Sequence, residues 1–500
     1  MTHMDVLIVG AGLSGIGAAV HLQDDCPGKT YTILESRDRM GGTWDLFRYP
    51  GIRSDSDMHT LGYRFKPWKK AKSIADGSSI LNYVKETARD YGVEEHIRFN
   101  HRVVSASWSS DEARWTIHAN HNGEDVTFTC NFLITCSGYY RYDKGHRPEF
   151  PGEERFQGKI VHPQFWPEDL DYEGKKVVVI GSGATAVTLI PAMADKTAHI
   201  TMLQRSPTYY VSRPSVDRIA NRLRKFLPLK WAYFLTRWKN VILQALFYRR
   251  TRTEPQEVKD KLLDLVREQV GPDVDVDTHF NPDYNPWDQR LCLVPDADFF
   301  KSLRKGDSSV VTDTIKTFDE TGIELESGKH LDADIIVTAT GLELLFMGGI
   351  DLEVDGREIE PHDLFNYKGI MFSGLPNLAN IKGYANASWT LKADISSEYI
   401  CRLINYMDKK GHRFAVPSLG DVEMTEEPFM PLSSGYVLRS IHKFPKQGSE
   451  RPWRLDHAYF TDMRTLRHAP IDDGTLVFDE PPKAKDNQRP QPERVAEAAE

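Results

Sequence analysis

Residues 5–15 read DVLIVGAGLSG, a short apolar run that meets a glycine cluster and then a helical pattern. This order predicts a buried parallel strand over residues 5–9 that feeds a helix. Glycines spaced in this way permit a tight turn and bring a pyrophosphate close to the N-terminus of the helix. The stretch therefore indicates a dinucleotide-binding unit, although an ordinary glycine turn can have a similar sequence.

Glu35 strengthens this interpretation. It stands twenty residues past Gly15, at the end of the apolar run 31–34. A carboxylate at this point accepts hydrogen bonds from ribose hydroxyls. The residues predicted to bind the first dinucleotide are Gly10, Gly12, Ser14, Gly15 and Glu35.

A second unit of the same kind follows at residues 176–186, where KVVVI precedes GSGATA. Alanine at the third glycine position still lets helix and strand pack closely. The next predicted strand ends in Gln204-Arg205-Ser206 rather than in an acid, and a guanidinium with a hydroxyl suits a 2′-phosphate. NADPH is therefore favoured over NADH, the alternative being that Arg205 is a solvated surface residue. The residues predicted to bind this second cofactor are Gly181, Ser182, Gly183, Ala184, Thr185, Arg205 and Ser206.

Each unit also closes in the same way, because an apolar strand runs into Cys136-Ser137-Gly138 in one and into Ala339-Thr340-Gly341 in the other. Such an ending lets the backbone pass close to a dinucleotide. We therefore predict an α/β protein with two nested Rossmann-like domains, FAD in the first and NADP(H) in the second.

The predicted domain order splits both nucleotide domains around insertions. The boundaries are 1–145 for the first part of the FAD domain, 146–214 for the first part of the NADPH domain, 215–289 for a helical insertion, 290–372 for the second part of the NADPH domain, 373–480 for the second part of the FAD domain, and 481–500 for a disordered tail.

Composition excludes several other classes of protein. Hydrophobic residues make up 40% of the 500, and 63 basic against 72 acidic residues give a net charge of −9, so a nucleic-acid partner is not expected. No apolar run is long enough to cross a bilayer and no signal peptide is recognisable, which predicts a cytoplasmic protein. The five scattered cysteines form no CxxC pair, so we expect them to be reduced and mostly buried, with no metal site. A disulfide reductase needs a close pair of redox cysteines beside the flavin, and it is disfavoured because the only near pair, Cys130 and Cys136, flanks a predicted buried strand.

Residues 156–167, FQGKIVHPQFWP, follow the pattern FxGxxxHxxxWP. This stretch resembles the fingerprint of type I Baeyer-Villiger monooxygenases, and it stands just before the second nucleotide unit, as it does in that family. The related flavin-containing N- and S-oxidases lack the Trp-Pro step. We interpret His162 as a structural residue that couples the two domains rather than as a proton carrier.

Three further stretches are similar to one subgroup of that family, whose members also oxygenate the sulfur of thioamides and thioureas. They are GGTWD at 41–45, RYPGIRSD at 48–55 and WDQR at 287–290. The resemblance implies that the flavin lies against the first stretch, that Arg290 is the active-site arginine over the flavin ring, and that Asp55 pairs with it. The family commonly has Lys-Arg where this chain has Gln289-Arg290, which leaves more of the NADPH preference to Arg205. The additional cofactor contacts that the resemblance implies are Gly42, Thr43, Trp44, Asp45, Arg53, Asp55 and Gln289.

The expected activity is an NADPH- and O2-dependent oxidation of a small, mainly apolar ketone to an ester or lactone, or oxygenation of an organosulfur compound. Arg290 and Asp55 are the predicted catalytic residues. Two alternatives remain open: a flavin-containing N- or S-oxidase that forms no ester, and a non-enzymatic flavoprotein that senses redox state.

An apolar stripe at helical spacing lies in the predicted insertion. Most such stripes face a protein core. The alternatives are a peripheral contact with the cell membrane or an apolar entrance for substrate. The stripe consists of Trp231, Phe234, Leu235, Trp238, Val241, Ile242 and Leu246, and Arg249, Arg250 and Arg252 follow it.

Overall fold

The computed structural model describes residues 2–420, 422, 424–430 and 432–483. Its centre is a nine-stranded sheet in which the first predicted strand lies between two parallel neighbours. The predicted α/β fold with Rossmann-like units is confirmed. In order across the sheet, the strands are Arg357–Ile359, Asp351–Val354, His101–Ser109, Arg114–His121, Glu124–Thr135, Thr2–Val9, Tyr31–Leu34 and Ile97–Arg98, with Leu378–Asn380 also paired to Glu124–Thr135.

The apolar run of residues 6–9 forms this central strand because burial on both faces of a parallel sheet requires continuous hydrophobic residues. All four of its side chains are buried. The strand pairs in parallel with Tyr31–Leu34 and with Glu124–Thr135. It leads through the glycine cluster directly into helix Leu13–Asp25, which packs against helix Trp389–Lys410.

A second sheet is built around the second predicted strand and is wholly parallel. Helix Ala184–Met193 follows that strand as helix Leu13–Asp25 follows the first. The strands in order are Ser308–Thr312, His199–Gln204, Lys176–Ile180, Ile335–Thr338 and Lys159–Val161.

The chain crosses between the two sheets along a two-stranded ribbon. Tyr140–Gly145 leaves the first sheet and Leu342–Leu344 returns from the second, and the two segments pair with each other in antiparallel fashion. Both crossings therefore lie side by side.

The return to the first sheet occurs earlier than the predicted residue 373. Asp351–Val354 pairs in parallel with His101–Ser109, and Arg357–Ile359 pairs with Asp351–Val354. Because these strands extend the first sheet, we propose that the second part of the FAD domain begins near residue 350. The other domain boundaries remain predictions. Residues 484–500, most of the predicted tail, lie outside the described residues.

The segment predicted as an insertion is helical and leaves the second unit between Tyr210–Arg213 and Cys292–Pro295, which pair with each other. Its helices are Arg218–Phe226, Leu229–Thr253, Pro255–Val270 and Val276–His279. The remaining helices are Thr43–Leu46, Met58–Leu61, Gly77–Asp90, Asp298–Lys305, Gly435–Leu438 and Tyr459–Asp462. The remaining strands are Ile315–Phe318, Gly322–Leu325, His330–Asp332, Asn366–Tyr367, Met371–Phe372, Ala415–Pro417, Glu426–Pro428, Lys446–Gly448 and Leu476–Phe478.

The expectation that the apolar stripe faces a core is wrong. Of its seven residues only Val241 is buried, and Trp238 is half-buried, whereas the other five are exposed. Helix Leu229–Thr253 instead buries a polar side, because Arg237 is held there by Asp394 and by three backbone carbonyls. Within the described part of the chain, no helix is long and apolar enough to span a membrane. The five cysteines are buried, as predicted.

Candidate active site

The two nucleotide units and the helical insertion together enclose one large cavity of about 660 Å³. The first glycine loop (residues 10–15) and the segment 41–44 form one wall. Ala184, Thr185 and Thr188 of the second unit form another wall. The cavity is completed by two side chains of helix Leu229–Thr253 and by Trp287, Arg290, Leu291 and Leu293. A cofactor bound to the first unit would therefore face residues of the second.

Two glycines of the first loop have no room for a side chain. Gly10 has φ of 101°, and a Cβ there would lie 2.7 Å from the carbonyl oxygen of Cys136. A Cβ on Gly15 would lie 1.9 Å from the carbonyl oxygen of Gly10. This tight packing exposes the start of helix Leu13–Asp25 to the cavity, and a helix N-terminus favours an anionic group such as a pyrophosphate.

Glu35 lies at the cavity wall, and two backbone amides hold its carboxylate in place. Its Oε2 accepts a hydrogen bond of 2.8 Å from Ala11 N, and its Oε1 accepts one of 3.0 Å from Arg37 N. Burial raises the pKa of Glu35, while these amides oppose the shift. A carboxylate oxygen has capacity for further donors, so a ribose hydroxyl could bond here as well.

The predicted contact of Asp45 with the cofactor differs from its position in the structure. Gly42, Thr43 and Trp44 line the cavity, but Asp45 does not. Its buried carboxylate pairs instead with Arg37 at 2.7 Å and with Arg48 at 3.3 Å. Successive side chains of a helical turn point in different directions, so Asp45 points away from the cavity that Trp44 lines. Asp45 therefore fixes the loop.

Arg290 brings a positive charge to the cavity. Its Nη2 donates a hydrogen bond of 2.9 Å to the hydroxyl of Tyr139. Interaction with Tyr139 raises the pKa of Arg290 above its usual value, against the opposing effect of burial, so the guanidinium stays protonated. Its buried Nε has no hydrogen-bond partner among the described residues.

Asp55 and Arg53 also line the cavity, but neither is paired with Arg290. The predicted direct contact between Asp55 and Arg290 is absent from the described structure, since the guanidinium is turned toward Tyr139. Asp55 is exposed and contributes to raising the pKa of Arg290 only from a distance. Arg53 pairs with Asp298.

The second glycine loop, residues 181–186, is more open than the first. Of its predicted contacts only Ala184 and Thr185 line the cavity. Ser182 Oγ donates a hydrogen bond of 3.3 Å to the carbonyl of Ser206, which places the exposed Arg205 beside this loop. Arg205 has no hydrogen bond or ion pair with another described residue, so its charge is available to a ligand. Gln289 is half-buried and lies outside the cavity wall.

Two other buried donors at the cavity are without partners in the described residues. They are Ser137 Oγ and Trp287 Nε1. An unpaired buried donor costs free energy, about 1–3 kcal/mol, unless a ligand or water satisfies it. Together with Arg290 Nε, these atoms fit a cavity that holds a polar cofactor.

Several cavity residues were not predicted from the sequence. Tyr139 holds Arg290, Tyr142 lies near Gly42, and Trp389 donates from Nε1 to Ser14 Oγ at 2.7 Å. Tyr139 directly follows Gly138, which ends a strand that the sequence predicts. The position of Tyr139 at the end of that strand could therefore have marked it as a cavity residue. Nothing local marks Trp389, which reaches the first glycine loop from 375 residues away.

His162 lies against both crossings between the sheets. Its Nε2 donates to the carbonyl of Gly341 at 3.3 Å, and its Nδ1 accepts from Gln164 N at 3.2 Å. Burial lowers the pKa of His162, so the ring is neutral. A Cβ on Gly145 would lie 2.2 Å from Cε1 of His162, so the ring packs closely against this strand. This position supports a structural role at the domain connection.

Comparison with known sequences places these features in a family. The sequence profile of the flavin-binding monooxygenase-like family matches residues 68–246, and that of an NAD(P)-binding Rossmann-like domain matches residues 8–74. The FAD-containing monooxygenase EthA of Mycobacterium tuberculosis is 56% identical over 477 residues, which cover 95% of this chain and 98% of EthA. The probable FAD-binding monooxygenase AlmA of Acinetobacter baylyi is 50% identical over 480 residues, which cover 95% of this chain and 96% of AlmA.

Solved structures share the fold at lower identity. A steroid monooxygenase bound to NADP superimposes with a TM-score of 0.70 at 24% identity, covering 84% of this chain and 88% of the other. Cyclohexanone monooxygenase in an open form gives a TM-score of 0.71 at 21% identity, covering 84% and 90%.

Proposed function

This chain belongs to the family of FAD-containing, flavin-binding monooxygenases, and on that premise we propose that it is a Baeyer-Villiger monooxygenase that uses NADPH and O2 to convert ketones into esters or lactones. We propose in addition that it oxygenates the sulfur of sulfides, thioamides or thioureas. The substrate is a small, mainly apolar molecule, in keeping with the aromatic and aliphatic side chains of the cavity.

FAD is the cofactor of the first unit. Gly10, Gly12, Ser14 and Gly15 would hold its pyrophosphate, and Glu35 its ribose. Thr43 and Trp44 would contact the remainder of the molecule from the cavity wall. FAD held by these residues would supply the redox chemistry of the reaction, which is reduction by NADPH and activation of O2.

NADPH would bind at the second glycine loop. Arg205 and Ser206 would meet its 2′-phosphate, because both are exposed beside the loop and Arg205 has no protein partner in the described chain. Ala184 and Thr185 would direct the cofactor into the cavity. The proposed contacts of Gly181, Ser182, Gly183, Arg53 and Gln289 complete this half of the site.

The proposal rests mainly on the position and charge of Arg290. A permanently charged guanidinium with a free buried N–H, held by Tyr139, is suited to stabilise an oxygen that becomes negative when a carbonyl is attacked. Tyr139 orients the guanidinium without neutralising it. Asp55 would moderate its charge from a distance.

The test is incubation of the purified protein with NADPH, isotopically labelled O2 and a panel of ketones and sulfides, followed by mass spectrometry. An ester carrying one labelled oxygen atom is the expected product, and samples without NADPH serve as the control. Sulfoxides without any ester would instead assign a flavin-containing N- or S-oxidase. Tightly bound flavin with no substrate-stimulated NADPH consumption would assign a non-enzymatic redox sensor.

A further inference from the structure

Helix Leu229–Thr253 has the reverse of the usual amphipathic arrangement. Soluble helices normally bury an apolar side and expose a polar one. Here the buried residues include Thr236, Thr251 and the charged Arg237, while the apolar stripe faces outward. Arg237 is fixed by Asp394 at 3.2 Å and by the carbonyl of Gly62 at 2.7 Å, so the helix cannot roll to hide its apolar side without breaking these contacts.

Apolar side chains of this helix, of the helix before it and of residue 460 that are exposed or half-buried make up a surface, which we call the apolar face. Trp231 is 62% exposed and Phe226, at the end of the preceding helix, is 76% exposed. Aromatic contacts link its members, because Phe234 lies 6.1 Å from Trp231 and 6.3 Å from Trp238 between ring centroids. The apolar face consists of Ile219, Phe226, Trp231, Phe234, Leu235, Trp238, Ile242, Leu243, Leu246 and Phe460.

The charge around the apolar face is strongly one-sided. Residues 218–253 contain ten basic and no acidic residues, although the whole chain carries a net charge of −9. Five of the ten have exposed side chains that make no hydrogen bond or ion pair with any residue that the structure describes; these are Arg218, Arg222, Lys225, Lys230 and Arg249. Free cations in the same helices as exposed aromatic and aliphatic groups are complementary to an anionic lipid surface.

The same helix also forms part of the cavity wall. Gln244 and Phe247 line the cavity. Gln244 follows Ile242 by two residues, which places the two side chains on opposite sides of the helix. One helix therefore has the apolar face on its outer side and the candidate active site on its inner side.

From these observations we propose that the apolar face binds the surface of an anionic phospholipid bilayer, with Trp231, Phe234 and Ile242 among the acyl chains and the free cations at the headgroups. A bilayer is the occupant that accounts for both the apolar side chains and the uniform positive charge. The second part of the proposal rests on the proposed function: an apolar ketone dissolved in the bilayer enters the cavity beside this helix.

The first experiment measures co-flotation of the holoenzyme with vesicles made of equal parts of phosphatidylcholine and phosphatidylglycerol, against vesicles of phosphatidylcholine alone. We expect binding to the anionic vesicles that weakens as salt is raised. Arg218→Glu/Arg222→Glu/Lys225→Glu should weaken it by at least ~100-fold, because each of the three cations near such a surface contributes roughly a fivefold factor. Phe234→Glu/Ile242→Glu should also abolish it. Leu265→Glu, on a different helix, and Lys409→Glu/Lys410→Glu are the matched controls and should bind normally.

Several results would overturn the proposal. No flotation at low salt is one, and equal binding by the wild type and Phe234→Glu/Ile242→Glu is another. A stable dimer in light scattering that this double variant dissociates, without any vesicle binding, would assign the apolar face to a second copy of the chain.

The second part is tested with two ketones, one soluble in water and one confined to the vesicles. Phe234→Glu/Ile242→Glu should keep its rate on the soluble ketone and lose activity on the confined one by ~10-fold or more, in parallel with its loss of binding. An equal rate on both ketones would refute entry from the bilayer. Inactivity of the wild type on every ketone would refute the proposed function, while the flotation result would stand.

Discussion

The two glycine loops share a sequence pattern but differ in enclosure and charge. The first is tightly packed and carries the buried carboxylate of Glu35, whereas the second is open and carries the exposed Arg205, which pairs with no residue that the structure describes. An enclosed site suits a cofactor that remains bound, and an open site suits one that exchanges in each cycle. From this difference we expect the flavin to stay bound to the protein and the nicotinamide cofactor to exchange as a second substrate.

The sharpest test of this comparison exchanges the third position of the two loops, which is Gly15 in one and Ala186 in the other. Gly15→Ala should abolish FAD binding, because its Cβ would lie 1.9 Å from a carbonyl oxygen and force the loop apart. Ala186→Gly should cost only about 1 kcal/mol of stability. Flavin absorbance per chain and thermal unfolding measure both effects, and full FAD content in Gly15→Ala would show that the loops are not different in this way.

The second prediction concerns Arg290, which lies where the two units meet. Arg290→Ala should lower the rate of ester formation by ~10²- to 10³-fold, since one preorganised stabilising donor is lost. Lysine should restore little of it, because it lacks the planar fork that could bond Tyr139 and the substrate at the same time. The ratio of oxygenated product to NADPH consumed, at equal FAD content, is the measurement. A wild-type ratio in the alanine variant would require another cation.

A smaller effect is expected at the open loop. Arg205→Ala should raise the KM for NADPH by roughly tenfold and leave that for NADH nearly unchanged, because only NADPH has the 2′-phosphate. Steady-state kinetics with both cofactors measure this, and Arg213→Ala at the cavity edge serves as a control for general loss of positive charge. An equal effect on both cofactors would make Arg205 a bystander.

The smallest expected effect is a pH dependence of stability that distinguishes the helix after the first glycine loop from the helix after the second. His21 on helix Leu13–Asp25 lies 3.4 Å from Asp394 and 3.8 Å from Asp25. Although burial opposes it, interaction with these carboxylates raises the pKa of His21 to about 9. The stabilisation is therefore complete below the unfolded pKa of about 6.5 and is lost as pH rises through 9.

The melting temperature should accordingly fall by roughly 2 °C between pH 7 and pH 9, a small shift because the chain is long. His21→Gln should remove this part of the pH dependence. Helix Ala184–Met193 of the second unit contains no titratable residue and gives a matched contrast. A pH profile that is the same in wild type and His21→Gln would refute the assignment to His21.

The sequence permits accurate prediction where local spacing determines structure. Gly10, Gly15 and Glu35 lie within one strand-loop-helix-strand unit, so their convergence could be predicted. The contact between Arg290 and Tyr139 spans 151 residues, and the one between Arg237 and Asp394 spans 157. Because the second contact decides which side of helix Leu229–Thr253 is buried, hydrophobic periodicity alone led to the wrong orientation.

The ribbon of Tyr140–Gly145 and Leu342–Leu344 has a mechanical consequence. Two strands about 5 Å apart form a flat strip, which bends easily across its thin dimension and resists distortion within its own plane. Both connections between the nucleotide units pass through this strip, with His162 wedged beside it. We therefore expect any relative movement of the units to bend this strip rather than to slide one strand along the other, because sliding would break the hydrogen bonds between them and move Arg205 out of line with the flavin site.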